Sequence, residues 1–256
     1  MTSRRSEATF DEVLPVHGHR IHVRVDRRSE ACPLLLLNGL TRPLERWDPL
    51  VEALSNRTIV RFDPPGIGTS PCPLIPLSIA ALAEITVGVL DTVEVPVADV
   101  LGYSHGGAVA QQLGFEWPER IGSLVLASTT CGIGSAMGGL ETLAVMLRPE
   151  RTPDGGAAKT VPLAVLYRSL AISCWTSIPF LGSIAKPTLI VNGDRDRLVP
   201  PVNGRILADR IRGQQRSQSD PATTCSIPSV QRSSRRWLGP SWTHRTNVLT
   251  RRFLLK

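Results

Sequence analysis

The spacing of apolar positions changes several times along the chain, and each change predicts an element. Ile21, Val23 and Val25 alternate with His22, Arg24 and Asp26, which predicts an antiparallel strand with one wet face. Pro33 then precedes Leu34, Leu35, Leu36 and Leu37, a continuous apolar run suited to a strand covered on both sides. Trp47, Leu50, Val51 and Leu54 recur at helical spacing. Residues 58–62 read as another buried strand, stopped by the turn-rich stretch Asp63-Pro-Pro-Gly-Ile-Gly-Thr-Ser70. Beyond it the pattern predicts helices over 77–93, 108–115 and 202–211, and strands over 97–101, 123–127 and 188–191. Strands alternating with helices imply an α/β, doubly wound, mostly parallel sheet.

Two stretches break the pattern. Residues 131–183 are irregular, with Gly- and Pro-containing patches, and are expected to form a small helical cap inserted into a core of residues 1–211. After Ile211 the periodicity stops. Residues 212–256 are rich in Arg, Ser, Thr and Pro, far longer than the usual connection of about 4–6 residues. This atypical tail also holds the charge: eight Arg and one Lys face a single acid, Asp220, while the whole chain carries +7. The body is therefore electrostatically ordinary. No binding motif accompanies the basic tail, so no nucleic-acid partner is expected.

Composition removes other classes. No apolar run approaches the roughly 20 residues of a membrane helix. No apolar stretch follows Met1-Thr-Ser-Arg-Arg5, so no secretory signal is expected and the expected location is the cytoplasm. Cys32, Cys72, Cys131, Cys174 and Cys225 form no CxxC pair and are odd in number, which indicates neither a zinc site nor a disulfide framework.

The chemistry is carried by Gly102-Tyr103-Ser104-His105-Gly106-Gly107, a G-x-S-x-G run between a predicted strand and a predicted helix. A sharp turn there lifts the Ser104 hydroxyl above the sheet edge. The flanking glycines avoid crowding, and the helix N-terminus directs N–H groups at developing negative charge.

On these residues the chain resembles the α/β-hydrolase superfamily. Leu35-Leu-Leu-Asn38-Gly39-Leu40 is similar to its oxyanion loop, and Phe62-Asp63-x-Pro65-Gly66-x-Gly68-x-Ser70 to its next loop. Trp117-Pro-Glu-Arg120 with Leu124-Val-Leu-Ala127 resembles the continuation after the nucleophile helix. Pro187 to Pro200, containing Gly193-Asp-Arg-Asp196, is similar to the strand that carries the acid. Asn38, the run Gly106-Gly-Ala-Val-Ala-Gln-Gln112 and Trp175-Thr-Ser-Ile178 look most similar to intracellular poly(3-hydroxyalkanoate) depolymerases. Enol-lactonases and cofactor-free haloperoxidases are near relatives.

The resemblance implies a serine hydrolase of small-molecule carboxylic esters or lactones that needs no cofactor and no metal. Ser104 would be the nucleophile, and the backbone N–H groups of Leu40 and His105 the oxyanion hole. The acid is Asp194 or Asp196, with Asp196 favoured because it directly precedes Arg197-Leu-Val-Pro200. A perhydrolase of the haloperoxidase type and a catalytically inactive paralogue are the alternatives. The base must follow the acid in the chain. Of His17, His19, His22, His105 and His244, only His244 does so. The first three read as exposed strand or loop residues. His244 lacks the glycine-rich approach of the family's histidine.

One hypothesis covers both the tail and the base: the tail is translated out of frame. With codons CCG-GCC-ACC-ACC-TGT-TCC for Pro221-Ala-Thr-Thr-Cys-Ser226, regrouping from the third base reads Gly-His-His-Leu-Phe. The depolymerase-like relatives carry a Gly-His-Leu-Phe-like run in this region. The coding DNA tests the hypothesis: an alternative frame with a histidine there and no stop is expected. A frame lacking the histidine, or interrupted, removes it.

Overall fold

The computed structural model describes residues 10–54, 57–138, 161–212 and 214–218. The alternating N-terminal segment forms a hairpin. β1 (Phe10–Val16) turns through His17-Gly18 into β2 (His19–Asp26), with Val16 opposite His19. Both turn residues have positive φ, 46° and 78°, as a two-residue turn matched to strand twist requires. β2 pairs antiparallel with β4 (Ile59–Phe62). Every later pairing is parallel, through β3 (Leu34–Leu37), β5 (Ala98–Tyr103), β6 (Ile121–Ala127), β7 (Thr188–Asn192) and β8 (Gln214–Gln218). The sheet runs β1-β2-β4-β3-β5-β6-β7-β8.

The all-leucine strand shows why a parallel sheet needs continuous apolar runs. Leu35 and Leu37 join a large core with residues of α2 (Ile79–Thr92) and α3 (His105–Glu116). Leu34 and Leu36 meet Trp47, Leu50, Val51 and Leu54, from α1 (Asp48–Ala53) and its flanks, on the other face. Each fully buried leucine contributes about 1.5–3 kcal/mol. Ser78 starts α2 by accepting a hydrogen bond from Ala81 N at 3.1 Å. Two further helices are α4 (Pro162–Ser173), in the segment expected to form the cap, and α5 (Val202–Arg210) after β7. Among the described residues, no helix is long and apolar enough to cross a membrane.

Two strands escape the apolar pattern. β1 is mostly exposed, and β8 reads Gln-Gln-Arg-Ser-Gln. Among the described residues both end the sheet, where backbone pairing suffices to hold a strand. β8 also extends the sheet past Ile211, where the periodicity ends.

His22 departs from expectation as well. It is buried rather than exposed, because the loop after β4 closes over it. His22 Nδ1 lies 3.0 Å from Asp63 Oδ2 and Nε2 lies 2.6 Å from Asp11 Oδ1. The same loop is fastened by His22 N to Ser70 Oγ at 2.9 Å and Ser70 Oγ to Asp63 O at 2.7 Å. The hydrogen bond to Asp63 raises the His22 pKa; burial opposes it, and Asp11 adds to it. Burial alone would raise the Asp11 carboxyl, but bonds from His22 and Arg24 outweigh it and hold it low.

A histidine that binds its proton more tightly folded than unfolded stabilises fully below the unfolded pKa of about 6.5. That stabilisation drains as pH rises through the raised folded value. His22→Gln is expected to lower stability by about 1–3 kcal/mol at pH 6 and by less at pH 9, read from urea unfolding at each pH. A deficit that grows toward pH 9 would contradict this assignment.

Candidate active site

β5 ends at Tyr103 and α3 begins at His105, so Ser104 alone makes the turn between strand and helix. Its backbone sits at φ 53°, ψ −117°, a conformation costing a non-glycine residue about 1–3 kcal/mol. Three hydrogen bonds hold it. Ser104 N donates to Ala127 O on β6 at 2.9 Å, and Gly107 N donates to Ser104 O at 2.8 Å. Thr129 Oγ1 donates to the same carbonyl at 2.7 Å.

Glycine on either side is a steric requirement. A Cβ at Gly102 would stand 2.5 Å from Gly106 O. One at Gly106 would run into Leu37 O, and one at Gly107 into the Thr129 side chain. The helix therefore crosses the ends of β3 and β5 at backbone contact.

The loop after β3 runs beside it. A Cβ at Gly39 would lie 3.7 Å from Ser104 Cβ and 3.2 Å from the Tyr103 ring. The peptide joining Gly39 to Leu40 thus passes next to the serine. Asn38 Nδ2 donates to Pro43 O at 2.8 Å, and Leu44 N to Asp63 Oδ1 at 2.7 Å, which fixes the loop from both ends. His105 opens α3, so its N–H belongs to the helical turn that has no intrahelical acceptor.

The crossovers diverge here: β3 leads to β4 on one side and β5 to β6 on the other. Such a switch point leaves a ligand-sized crevice at the carboxyl edge of an open α/β sheet. Asp196 lies beyond β7 at that same edge, two strands from β5. Its Oδ1 accepts from Leu198 N and Val199 N, each at 2.9 Å. Asp194 is exposed. His244 lies outside the described residues.

Comparison with known proteins decides the family. The profile of the alpha/beta hydrolase fold matches residues 33–149. The poly(3-hydroxyalkanoate) depolymerase of Ectopseudomonas oleovorans is 36% identical over 216 residues, 73% of this chain and 76% of that protein. The chain belongs to the α/β-hydrolase family. The 3-oxoadipate enol-lactonase 2 of Acinetobacter baylyi is 26% identical over 228 residues, 79% of this chain and 85% of that one. The crystal structure of the enol-lactonase from Burkholderia xenovorans LB400 superposes with a TM-score of 0.70 at 25% identity, covering 92% of this chain and 99% of that one.

In this α/β-hydrolase the residue after Ser104 is an inward-facing histidine. His105 is 4% exposed, and its Nδ1 lies 3.1 Å from Arg168 Nη2. Arginine only donates, so Nδ1 is the acceptor and the proton of the neutral ring is on Nε2. Burial, then the neighbouring guanidinium charge, holds His105 well below the ordinary imidazole range. Arg168, on α4, also donates to Gly39 O at 3.2 Å. Burial lowers its pKa to about 9, opposed by the charge of Asp63. The end of the cap segment is tied to α3 by Trp175 Nε1 to Gln112 Oε1 at 2.7 Å and Ser177 Oγ to Gln111 Oε1 at 2.6 Å.

Arg168 and Thr129 are the local partners that sequence reading missed. One clue was present: Arg168 is the single charged residue of Pro-Leu-Ala-Val-Leu-Tyr-Arg-Ser-Leu-Ala-Ile-Ser. Thr129 gave none. Gly106→Ala is expected to cost about 2–3 kcal/mol, because the added methyl meets β3 backbone rather than a side chain that can swing aside. The urea midpoint checks this; an unchanged midpoint would show that α3 slides freely over the sheet.

Proposed function

We propose that this α/β-hydrolase cleaves carboxylic esters or lactones through an acyl-enzyme formed on Ser104. The supporting observation is the strained serine at the strand–helix corner, beside the peptide joining Gly39 to Leu40. Ser104 Oγ attacks the ester carbonyl, and the oxyanion that forms is met by the N–H groups of Leu40 and His105. The alcohol leaves, and water then releases the acid. Losing one such donor typically costs about 3 kcal/mol of barrier. Asp196 is the acid, its carboxylate oriented by the two N–H bonds to Oδ1. A polyester and an enol-lactone, the substrates in the names of two relatives, are both carboxylic esters, which favours that substrate class.

The mechanism also needs a general base. The His105 ring faces the core and is bound by Arg168, which leaves His244, the one histidine after Asp196 in the sequence, as the candidate. Its flanking Trp242-Thr-His-Arg245 lacks a glycine-rich approach, which favours a second reading in which the base is missing and the enzyme is impaired. Loss of one triad member leaves about 10³–10⁴-fold catalysis over water.

A fluorophosphonate probe and a short p-nitrophenyl ester separate the two. Ser104→Ala is expected to abolish both labelling and any hydrolysis above background. Equal hydrolysis by the mutant would remove Ser104 from the mechanism. His244→Ala is expected to reduce labelling strongly if that histidine is the base. Unchanged weak labelling would assign the product to the impaired class.

A further inference from the structure

β6 ends on a strained residue of its own. Ser128, which follows Ala127, has φ 43°, the left-handed region that a non-glycine residue seldom occupies. It neighbours Ser104, at φ 53°, at the carboxyl ends of two paired strands. The turn at Ser128 is braced on both sides. Ser128 N donates to Val191 O on β7 at 2.8 Å, and Gln111 Nε2 on α3 donates to Thr130 O at 3.0 Å. Between those anchors sits Thr129, 2% exposed, with its hydroxyl 2.7 Å from Ser104 O. A carbonyl oxygen only accepts, so the hydroxyl proton is committed to it.

Ser104 is therefore tied to the end of β6 at both of its peptide groups, its N–H to Ala127 O and its C=O to Thr129 Oγ1. The second tie bears on the chemistry. The peptide joining Ser104 to His105 is trans, so the carbonyl and the His105 N–H lie on opposite sides of it. Gly107 N also reaches the carbonyl, at 2.8 Å, but it belongs to α3, as His105 does. Thr129 is the donor that fixes the peptide relative to the sheet. Two donors on one carbonyl also polarise the peptide and strengthen its N–H. Both effects count most where negative charge is greatest, at the tetrahedral oxyanion rather than the bound ester.

We infer that Thr129 is a positioning residue of the oxyanion hole: its hydroxyl, gripping Ser104 O, aims and strengthens the His105 N–H without touching substrate. The inference rests on the hydrolase reading, because it acts through the oxyanion formed at Ser104.

The test compares Thr129→Val, which keeps the size and removes the hydroxyl, with Thr129→Ser, which keeps the hydroxyl, on a short p-nitrophenyl ester. Losing an oxyanion-hole donor outright costs about 10²–10³ in kcat, so misaiming one is expected to cost about tenfold. Thr129→Val should lower kcat by that factor with KM changed by less than about twofold, and Thr129→Ser should keep kcat within about threefold. A trifluoromethyl ketone, whose adduct carries the oxyanion, should bind Thr129→Val about tenfold more weakly. If Thr129→Val does not fold, Thr129→Ala takes its place. If that fails too, crystals of the phosphonylated unaltered chain decide, with the phosphonyl oxygen expected on His105 N and Thr129 still bonded to Ser104 O. Ser104→Ala separates the two ways of failing: hydrolysis equal to that of the unaltered chain sinks the hydrolase reading itself. With Ser104→Ala inactive, the role of Thr129 alone is overturned by any of three results. These are a lower Tm with kcat kept in Thr129→Val, an equal loss of kcat in Thr129→Ser, or a phosphonyl oxygen turned away from His105 N.

Discussion

α3 packs backbone on backbone against the ends of β3 and β5, with no room for a Cβ at Gly102 or Gly106. That approach forces the chain to turn within one residue, and the residue is a serine held in a left-handed conformation. The strain of about 1–3 kcal/mol persists because bonds from β6 and from Thr129 over-determine it. The same contact carries Leu37, and hence the Asn38–Gly39 loop, to the serine's side. The geometry at the serine and the packing of the helix are thus one constraint seen from two directions.

The surrounding sheet makes this constraint affordable. β3 and β5 sit at its centre, covered on both faces by two apolar clusters. Their register is fixed because a shift of one residue would exchange the faces of every side chain. At the edge, the β1–β2 hairpin and the buried His22–Asp63 pair close the loop that also anchors Leu44, so a polar network far from Ser104 shapes the loop next to it.

What the sequence disclosed follows the range of the interactions. The leucine run of β3, the helix of α2 and the G-x-S-x-G corner are local or periodic, and each is legible within a short window. β1 and β8 are not, because edge strands are held by backbone pairing that leaves little trace in side-chain type. His22 looked wet because its partner, Asp63, lies 41 residues away. Arg168 was invisible for the same reason: its acceptors on His105 and Gly39 lie 63 and 129 residues distant. Asp196 stands out only through its flanking motif, and His244 lies outside the described residues.

The bond from Arg168 to the Gly39 carbonyl joins α4 to the loop beside the serine. A trans peptide points its C=O and the following N–H in opposite directions, so a donor that grips the Gly39 oxygen also sets the heading of the Leu40 amide. Transplanting this segment from a relative lacking the arginine would therefore alter more than the shape of the substrate chamber. It would unfasten a peptide plane in the loop beneath, because one guanidinium joins the helix to that backbone.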